Sequence, residues 1–341
     1  MRQGSQAPPA ATPGRFGRLL HLGNVVVDIV LAVRALPERG SDTLASRAQT
    51  TPGGAFNVMA AAARQGLRAA YAGAHGTGPF GTLARTALAA EGIDVLQPAK
   101  AGQDTGFVLT IVEAGGERTF LTSRGAEATL TGGDLGRVSP AAGDAVCLSG
   151  YSLVHDSNRA ALLGWLPRLG DGNLLFFDPG PLAGSIPAGA LATVIGRADW
   201  LTCNAREAAI LTGITDPRAA AAALASRASR PRVLVRTGPD GCLIGRPGDG
   251  VVHVPGFQVR VRDTNGAGDA HTGVFIAALA AGMADTAAAR TANAAAALSV
   301  TRPGPATAPT REELASFLAT ASGPGPSPEE APPASRGHDL R

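Results

Sequence analysis

The chain has 341 residues, a formal net charge of +3 and 45% hydrophobic residues, which is enough apolar material for one large domain or two. Basic residues are scattered and aromatic residues make up only 4%, so the sequence lacks the clustered cations and stacking rings typical of a nucleic-acid surface. No apolar run is long and uniform enough to span a bilayer, and the three cysteines form no CxxC pair, which favours a reducing, cytoplasmic compartment over a disulfide framework or a zinc site.

Both ends of the chain have the composition of disordered tails. Residues 1–17 are rich in Pro, Gly, Ala and Gln and lack the compact apolar segment of a signal peptide. Residues 322–341 are rich in Pro, Gly and Ser. We therefore expect a single folded domain over residues 18–321.

Short apolar strands alternate with helical stretches along this domain. The run "RLLHLG" predicts a first strand that ends at Gly23, and a helix over residues 57–65 follows two glycines. Further strands are predicted in "RAAYAG", "AVCLSG", "LLFFDPG", "DWLTCN" and "RVLVRTG", with helices in "PFGTLARTALAAEG" and over residues 219–228. Such alternation with short loops predicts an α/β fold with a mostly parallel central sheet and helices on both faces.

Two segments do not fit the alternation. Residues 28–52 read as extended chain, and residues 104–124 contain two extended runs around "EAGGE", which predicts a hairpin. We expect these segments to form a small β-rich lid over the sheet. Arg118, in this hairpin, could contact a substrate or be solvated.

Polar clusters follow most of the predicted strands. Because ligands of parallel α/β sheets bind outside the carboxyl ends of the strands, these clusters predict one shared cleft. They lie at positions 24–28, 53–57, 178, 204–207, 238–241 and 263–269.

The stretch "VRDTNGAGDAHTGVFIAALAAG" combines a glycine turn with the start of a buried helix. Gly266 and Gly268 let the backbone approach a ligand closely, and the unpaired N–H groups of a helix N-terminus suit a phosphate. Asp269 in the first turn can accept a proton from a substrate hydroxyl. The residues alone leave open that Asp269 only caps the helix, which stabilises a helix by about 1 kcal/mol.

Five stretches resemble the signatures of one enzyme family, the ribokinase-like (PfkB) carbohydrate kinases. "DTNGAGDAHTG" resembles its C-terminal signature and "PGGAFNVMAAAARQG" its N-terminal one. "NAREAAILTG" resembles the element that holds magnesium-bound water and phosphate, and "VRTGPDGCLI" the strand and turn that touch the nucleotide. "ANAAAALSVTRPGPATAPTREEL" resembles the adenine-side helix and closing segment. The matches occur in the family's order from position 19 to 318, and the resemblance implies a ribokinase-like fold and an ATP-dependent carbohydrate kinase.

The resemblance also implies roles on the donor side. Asp269 would be the catalytic base, and the N–H groups of Gly266, Ala267 and Gly268 would stabilise the transferred phosphoryl group. Asn204 and Glu207 would place Mg²⁺ through water. The remaining nucleotide-side candidates are Arg236, Gly238, Gly241 and Asn293. Asp263 begins the loop that binds K⁺ in many relatives, although it could equally be a turn-forming residue.

On the acceptor side, the resemblance implies that Asp28 binds sugar hydroxyls, with Gly53, Gly54 and Asn57 framing the same pocket. Asn57 could also cap its own helix. The edges of the lid, which many relatives pair across subunits, predict a homodimer, because exposed strand edges invite pairing.

Several residues depart from the family pattern and affect the acceptor more than the chemistry. Thr77 and Gly78 stand where many relatives carry an acid before "PFG", and Arg236 and His271 stand where Thr and Phe are usual. His271 could contact the acceptor or be a buried histidine beside the cleft. Ribokinases carry Lys-Gly where this chain has Ala55-Phe56, and Asn where it has Val26, so the pocket is not expected to be optimised for ribose.

The acceptor therefore stays open. A sugar or sugar-like alcohol is our first hypothesis, and a nucleoside is the alternative because Val26 and Phe56 suit a more apolar group. A non-catalytic ligand-sensing protein on the same scaffold is less expected, since Asp269 and its glycine turn are intact. A dehydrogenase is set aside because no GxGxxG motif follows the first strand.

Overall fold

A computed structural model gives the structure of the protein and describes residues 16–227 and 231–321. The tails predicted for residues 1–17 and 322–341 therefore lie outside the described residues, apart from Phe16 and Gly17. Phe16 is buried and packs edge-on against Phe176, with 6.2 Å between the ring centroids. The N–H of Gly17 donates to the carbonyl of Gly143 at 3.0 Å, so Phe16 and Gly17 both contact the folded domain.

The described residues contain thirteen strands. They are β1 (Arg18–His21), β2 (Val25–Ala32), β3 (Arg47–Gly54), β4 (Arg68–Tyr71), β5 (Asp94–Val95), β6 (Phe107–Val112), β7 (Arg118–Ser123), β8 (Asp144–Ser149), β9 (Leu174–Asp178), β10 (Trp200–Asn204), β11 (Arg232–Arg236), β12 (Gly241–Arg246) and β13 (Gly250–Pro255).

Eleven α-helices lie in the same part of the chain. They are α1 (Ala55–Arg64), α2 (Pro79–Ala90), α3 (Gly132–Gly136), α4 (Gly150–Leu153), α5 (Asp156–Trp165), α6 (Ala188–Arg197), α7 (Ala205–Thr212), α8 (Pro217–Ser226), α9 (Ala267–Ala280), α10 (Asp285–Ser299) and α11 (Arg311–Ala321). The predicted helix over residues 219–228 corresponds to α8. Position 228, the last of the predicted range, lies outside the described residues. Within the described ranges, no helix combines the length and the apolar character needed to cross a bilayer.

The larger sheet has nine strands in the order β13-β12-β11-β10-β9-β8-β1-β4-β5. All neighbours from β11 to β5 are parallel, which confirms the mostly parallel sheet expected from the strand–helix alternation. The hairpin of β12 and β13 adds two antiparallel pairings at one edge, and the sequence analysis did not predict it.

Alternating residues of the central strands pack on opposite faces of this sheet. Leu19, Cys147 and Phe176 join one core with helices α1, α2, α9 and α10, whereas Leu20, Val146 and Phe177 join another with α5, α6 and α8. This period of two explains why the strands read as continuous apolar runs: both of their faces are covered by helices.

The smaller sheet is the lid. Its order is β3-β2-β6-β7, built from the two segments that did not fit the alternation. β2 pairs antiparallel with β3 and parallel with β6, and β6 pairs antiparallel with β7 through the "EAGGE" turn. The lid is continuous with the core, because β3 ends at Gly54 and α1 begins at the next residue.

Helices α1 and α9 approach each other closely at Gly273. A Cβ atom built on Gly273 would overlap the carbonyl oxygen of Val58 and lie 2.7 Å from the Cβ of Ala61. Helix α1 carries Asn57 and helix α9 carries Asp269, so this close crossing sets the distance between two predicted site residues.

We expect Gly273→Ala to destabilise the protein by about 1–3 kcal/mol, because the added methyl group must push two packed helices apart. The matched control is Gly196→Ala in α6, where a Cβ meets no atom within 4 Å and the loss of glycine flexibility should stabilise by about 0.5–1 kcal/mol. Urea unfolding of both variants measures the difference. Equal effects of the two substitutions would show that the crossing is not tight.

Candidate active site

The carboxyl ends of three neighbouring strands supply polar side chains at one edge of the sheet. Asp178 ends β9, Asn204 ends β10 and Arg236 ends β11. Asn204 and Arg236 are register partners, and Asp178 pairs with Ser149 of β8. The predicted polar clusters on these strands therefore lie side by side.

Helix α9 begins at this edge with the glycine turn. Gly266 has φ 74°, in the left-handed region, and a Cβ there would overlap the carbonyl oxygen of Pro305. Only glycine satisfies both constraints without strain. The turn places the N–H groups of Ala267, Gly268 and Asp269 in the first turn of a fourteen-residue helix, where N–H groups have no intrahelical acceptors.

Asp269 is half-buried and is held by Asn57 of helix α1. The Nδ2 of Asn57 donates to the Oδ2 of Asp269 at 2.9 Å. Burial raises the pKa of Asp269 to about 6, although the hydrogen bond from Asn57 works in the opposite direction. The carboxylate is thus largely ionised at neutral pH but is far more basic than a solvated aspartate.

Asp28 faces the same pocket from the lid strand β2. Its carboxylate lies over Gly53 of β3, where a Cβ would overlap its Oδ2. Burial, and then the nearby charge of Asp269, raises the pKa of Asp28 to about 7. Asp28 has no hydrogen-bond partner among the described residues. The Oδ1 of Asn57 is also buried without a partner, so two acceptor groups are available to hydroxyl donors.

Arg236 joins the phosphate-side residues into one charged cluster. Its guanidinium lies 3.1 Å from Asp178 and 3.6 Å from Glu207, and it donates to the Oγ1 of Thr272 at 3.0 Å. A Cβ on Gly268 would lie 3.5 Å from its Nε, so the cation sits beside the glycine turn. Sequence reasoning assigned Asp178 only to a polar cluster and missed it as the partner of Arg236.

Asn204 and Glu207 bind each other at the start of α7. Glu207 N–H donates to Asn204 Oδ1 at 2.9 Å and Asn204 N–H donates to Glu207 Oε2 at 2.8 Å, which is a capping box. Glu207 is buried, which raises its pKa, and its Oε1 makes no hydrogen bond to the described residues. One free carboxylate oxygen fits Mg²⁺, which commonly keeps its waters and binds one or two carboxylates plus substrate phosphates.

An open groove of about 670 Å³ continues from this cluster along the ends of β10 and β11. Asn204, Arg236 and Gly238 line it, together with Arg206 and Arg218. The predicted nucleotide-side residue Gly241 lies at the start of β12, where a Cβ would overlap the carbonyl oxygen of Val254. The groove has room for a nucleotide, and its three arginines outnumber the two acids, Asp216 and Asp240, that also line it.

Asn293 does not face this groove. It is buried, its Nδ2 donates to the carbonyls of Val254 and Pro255 at 3.0 Å each, and its Oδ1 is 3.0 Å from His271 Nε2. Its amide thus holds α10 to β13 and α9, and these contacts lend no support to the prediction that Asn293 binds the nucleotide. Burial lowers the pKa of His271 to about 3, so His271 is a neutral, buried histidine.

A carboxylate from elsewhere in the chain binds the start of the helix that begins at "PFG". The carboxylate of Asp104 accepts from the N–H groups of Phe80 at 3.0 Å and Gly81 at 2.7 Å, at the start of α2. It fills the space beside Gly78, where a Cβ would overlap it. Local sequence patterns did not predict this contact, because Asp104 lies more than twenty positions away.

Tyr151 is a second residue that the sequence analysis missed. It lies in α4, after β8, and its ring is 3.5 Å from the Cβ position of Gly180, which follows β9. The side chain is 44% exposed, and the carboxylates of Asp269, Glu207, Asp178 and Asp28 add to burial in raising its pKa to about 12. An exposed aromatic ring therefore lies among the acidic residues of the cleft.

Comparison with known proteins gives consistent matches. The sequence profile of the pfkB family carbohydrate kinases matches residues 18–312. The chain is 33% identical over 296 residues to the "Uncharacterized sugar kinase YegV" of Escherichia coli K12, covering 86% of this chain and 91% of that protein.

Solved structures share the fold. The ribokinase of Thermotoga maritima superposes with a TM-score of 0.77 at 26% identity, covering 89% of this chain and all of that one. The aminoimidazole riboside kinase of Salmonella enterica, solved with aminoimidazole riboside and an ATP analog, gives 0.73 at 25% identity, covering 88% and 99%.

We expect Asp28→Asn to stabilise the unliganded protein at high pH. The folded state raises the pKa of Asp28 from 3.8 to about 7, so it binds this proton more tightly than the unfolded chain does. The free energy of unfolding therefore falls as pH rises through this window. At pH 8 the free energy of unfolding of the Asp28→Asn variant should exceed that of the wild type by about 1–2 kcal/mol. This is less than the full pKa difference implies, because water reaches the group.

Below pH 4 the protonated wild type and the variant should be equally stable. The matched control is Asp171→Asn, which removes the same charge from an exposed position and should change stability little at either pH. Urea unfolding at both pH values measures the difference. A variant no more stable than wild type at pH 8 would show that Asp28 is well solvated.

Proposed function

The chain belongs to the pfkB family of carbohydrate kinases, and on this premise we propose that it transfers the terminal phosphoryl group of ATP to a hydroxyl of a sugar or sugar-like small molecule. The observation that carries the proposal is the placement of Asp269. Its carboxylate lies in the first turn of α9, beside N–H groups that have no intrahelical acceptors, and is oriented by Asn57 toward the pocket that Asp28 shares.

Asp269 acts as the general base in this proposal. With a pKa of about 6 it is ionised at neutral pH and accepts the proton of the acceptor hydroxyl as the oxygen attacks the terminal phosphorus. The bond from that phosphorus to the bridging oxygen breaks and ADP leaves. The N–H groups of Gly266, Ala267 and Gly268 line the turn where negative charge develops on the phosphoryl oxygens.

Arg236 would stabilise the negative charge on the phosphoryl oxygens from the other side of the turn. Its guanidinium is beside Gly268 and is held in place by Asp178 and Thr272, so it is preorganised to interact with phosphate oxygens. Glu207, with its free Oε1, would hold Mg²⁺ through water near the phosphates. When bound, Mg²⁺ supplies neutralisation of the phosphate charge.

The acceptor pocket favours a hydroxyl-bearing molecule. Asp28 and the Oδ1 of Asn57 are acceptors without partners among the described residues, and hydroxyl donors would satisfy both. A nucleoside is the second candidate, because the exposed ring of Tyr151 offers a stacking surface among the site's carboxylates. The riboside kinase that shares the fold binds aminoimidazole riboside.

We also propose a homodimer formed through the lid. Strand β7 is an edge of the lid sheet, and its Phe120 and Leu121 are 61% and 54% exposed. An exposed edge strand with large apolar side chains is a surface that pairs readily. A cytoplasmic location is part of the proposal, because ATP is available there and Cys147, Cys203 and Cys242 are all free thiols.

A panel of free sugars, sugar alcohols and nucleosides, assayed for ADP release, tests the acceptor. We expect turnover with at least one free sugar or sugar alcohol. Turnover with nucleosides and with no sugar would favour the second candidate. If no sugar, sugar alcohol or nucleoside in the panel led to ADP release, the proposed function would be contradicted.

Asp269→Asn should lower kcat with the best acceptor by about a hundredfold to ten-thousandfold, because the base is lost while the amide keeps the shape of the side chain. In the wild type, kcat/KM should rise with pH through about 6, where Asp269 loses its proton, and then level off. Near wild-type turnover by the variant, with an unchanged pH profile, would show that another group is the base.

Phe120→Glu should convert the dimer to monomer, because a charge at the lid edge must be desolvated for the strands to pair. Sedimentation velocity at several protein concentrations measures the mass. The matched control is Met283→Glu, at an apolar side chain that is 41% exposed and lies just after α9. A monomeric wild type would contradict this assignment.

A further inference from the structure

Asp263 lies in the loop between β13 and α9, and both of its carboxylate oxygens have partners. Oδ1 accepts from the N–H of Asn265 at 3.0 Å and from the guanidinium of Arg118 at 2.8 Å. Oδ2 accepts from the N–H of Gly304 at 3.0 Å. Burial alone would raise the pKa of Asp263, but these donors lower it below the usual value, so the carboxylate is firmly ionised.

The carbonyl oxygens near Asp263 are occupied in the same way. The carbonyl of Val300 accepts from the N–H groups of Arg262 at 2.7 Å and Asp263 at 3.1 Å. The hydroxyl of Thr307 donates to the carbonyls of Ser299 at 3.1 Å and Gly304 at 3.3 Å. Both carboxylate oxygens of Asp263 and the carbonyls of Ser299, Val300 and Gly304 therefore already accept hydrogen bonds from the protein.

These residues do not fit K⁺. A monovalent cation exchanges its hydration shell for several protein oxygens, and here five oxygens around Asp263 already accept from N–H and O–H donors. A positive guanidinium already lies 2.8 Å from the carboxylate, and a second cation at that distance would be repelled. The expectation that Asp263 binds K⁺ is therefore not supported by the arrangement of its neighbours.

The cation that Asp263 does have comes from the lid. Arg118 is the first residue of β7 and pairs with Val112 of β6. A second lid residue, Gln49 of β3, lies beside the segment that follows α10, where its Nε2 is 3.3 Å from the Cβ position of Gly304. Two strands of the lid thus contact the two segments that meet at Asp263.

The contact bears directly on the glycine turn of the active site. Asp263 precedes Gly266 by three positions, and Gly304 precedes Pro305, whose carbonyl packs against Gly266. Arg118 and Asp263 therefore connect the lid to both chain segments that form this turn.

We propose that the guanidinium of Arg118 takes the place of a monovalent cation at Asp263, so that the enzyme works without K⁺ and its lid is fastened to the loop that forms the anion hole. The inference rests on the proposed kinase activity for its catalytic consequence, and Arg118 is a positioning residue in it. Closure of the lid and ordering of the anion hole become one event, because the guanidinium that binds Asp263 is part of lid strand β7.

The first test compares monovalent cations in the wild-type protein. Initial rates with saturating ATP and acceptor should agree within about twofold in K⁺, Na⁺, NH₄⁺ and tetramethylammonium at constant ionic strength. Saturable activation by K⁺ in the wild type would overturn the proposal.

The second test removes the guanidinium. Arg118→Gln should lower kcat about tenfold to a hundredfold in tetramethylammonium, because the anion-hole loop loses its tie to the lid. K⁺ or added guanidinium should restore part of the rate, whereas a purely structural role would give no rescue. The melting temperature should change little, since the two side chains are 32% and 24% exposed and such pairs contribute little stability.

The matched control is Arg34→Gln, at an exposed arginine just beyond β2 whose side chain has no hydrogen-bond partner among the described residues. It removes the same charge near the lid and should leave both the rate and the response to cations unchanged. An equal loss of activity in the two variants would overturn the positioning role of Arg118.

Direct binding separates this inference from the proposed function. Thallium NMR line broadening, with Tl⁺ as a probe for K⁺, should appear in Arg118→Gln and not in the wild type. That result would support the inference even if no acceptor in the panel were turned over. Equal broadening in both proteins would overturn it while leaving the kinase proposal intact.

Discussion

The hydrogen bond from Asn57 to Asp269 joins residues 212 positions apart, and the organisation of the site depends on it. The bond can form because α1 and α9 cross closely. The crossing is so close that position 273 has no room for a side chain, and Gly273 stands there. Burial makes the carboxylate more basic than a solvated aspartate, although the hydrogen bond from Asn57 works against that shift. Helix packing therefore sets the position of this carboxylate, and its burial sets its base strength.

The site concentrates negative charge that the fold alone does not neutralise. Asp28, Asp178, Glu207 and Asp269 face a common cleft, and Arg236 pairs with Asp178 and Glu207 but leaves Asp28 without a partner. Burial raises the pKa of Asp28, Glu207 and Asp269. Such an arrangement costs stability in the unliganded protein and becomes favourable when hydroxyl donors and a metal-bound nucleotide enter.

Local patterns in the sequence predicted the parallel sheet, the lid segments and the glycine turn before α9, because each depends on periodicity or turn chemistry within a short window. The β12–β13 hairpin was missed, although "RPGDG" between two apolar runs is a turn signal. The hydrogen bonds of Asp104 and Asn293 could not be predicted, because the residues that they bind are distant in the sequence. Nothing in the neighbourhood of Asn293 in the chain indicates that β13 takes both of its amide protons. The lid hairpin was predicted, but the partner of its Arg118 was not, because Asp263 is 145 positions away.

A helix N-terminus by itself is a weak and common anion site, and what distinguishes α9 is that its turn is fixed from three directions. Pro305 closes against Gly266, Arg236 stands beside Gly268, and the carboxylate of Asp263 ties the preceding loop to the lid. A donor that is already in position need not reorganise when charge develops, and such preorganisation provides much of the rate enhancement in many group-transfer reactions. The long-range contacts around the turn, more than the Gly-Ala-Gly sequence inside it, are therefore what suit this helix N-terminus to the phosphoryl transfer that we propose.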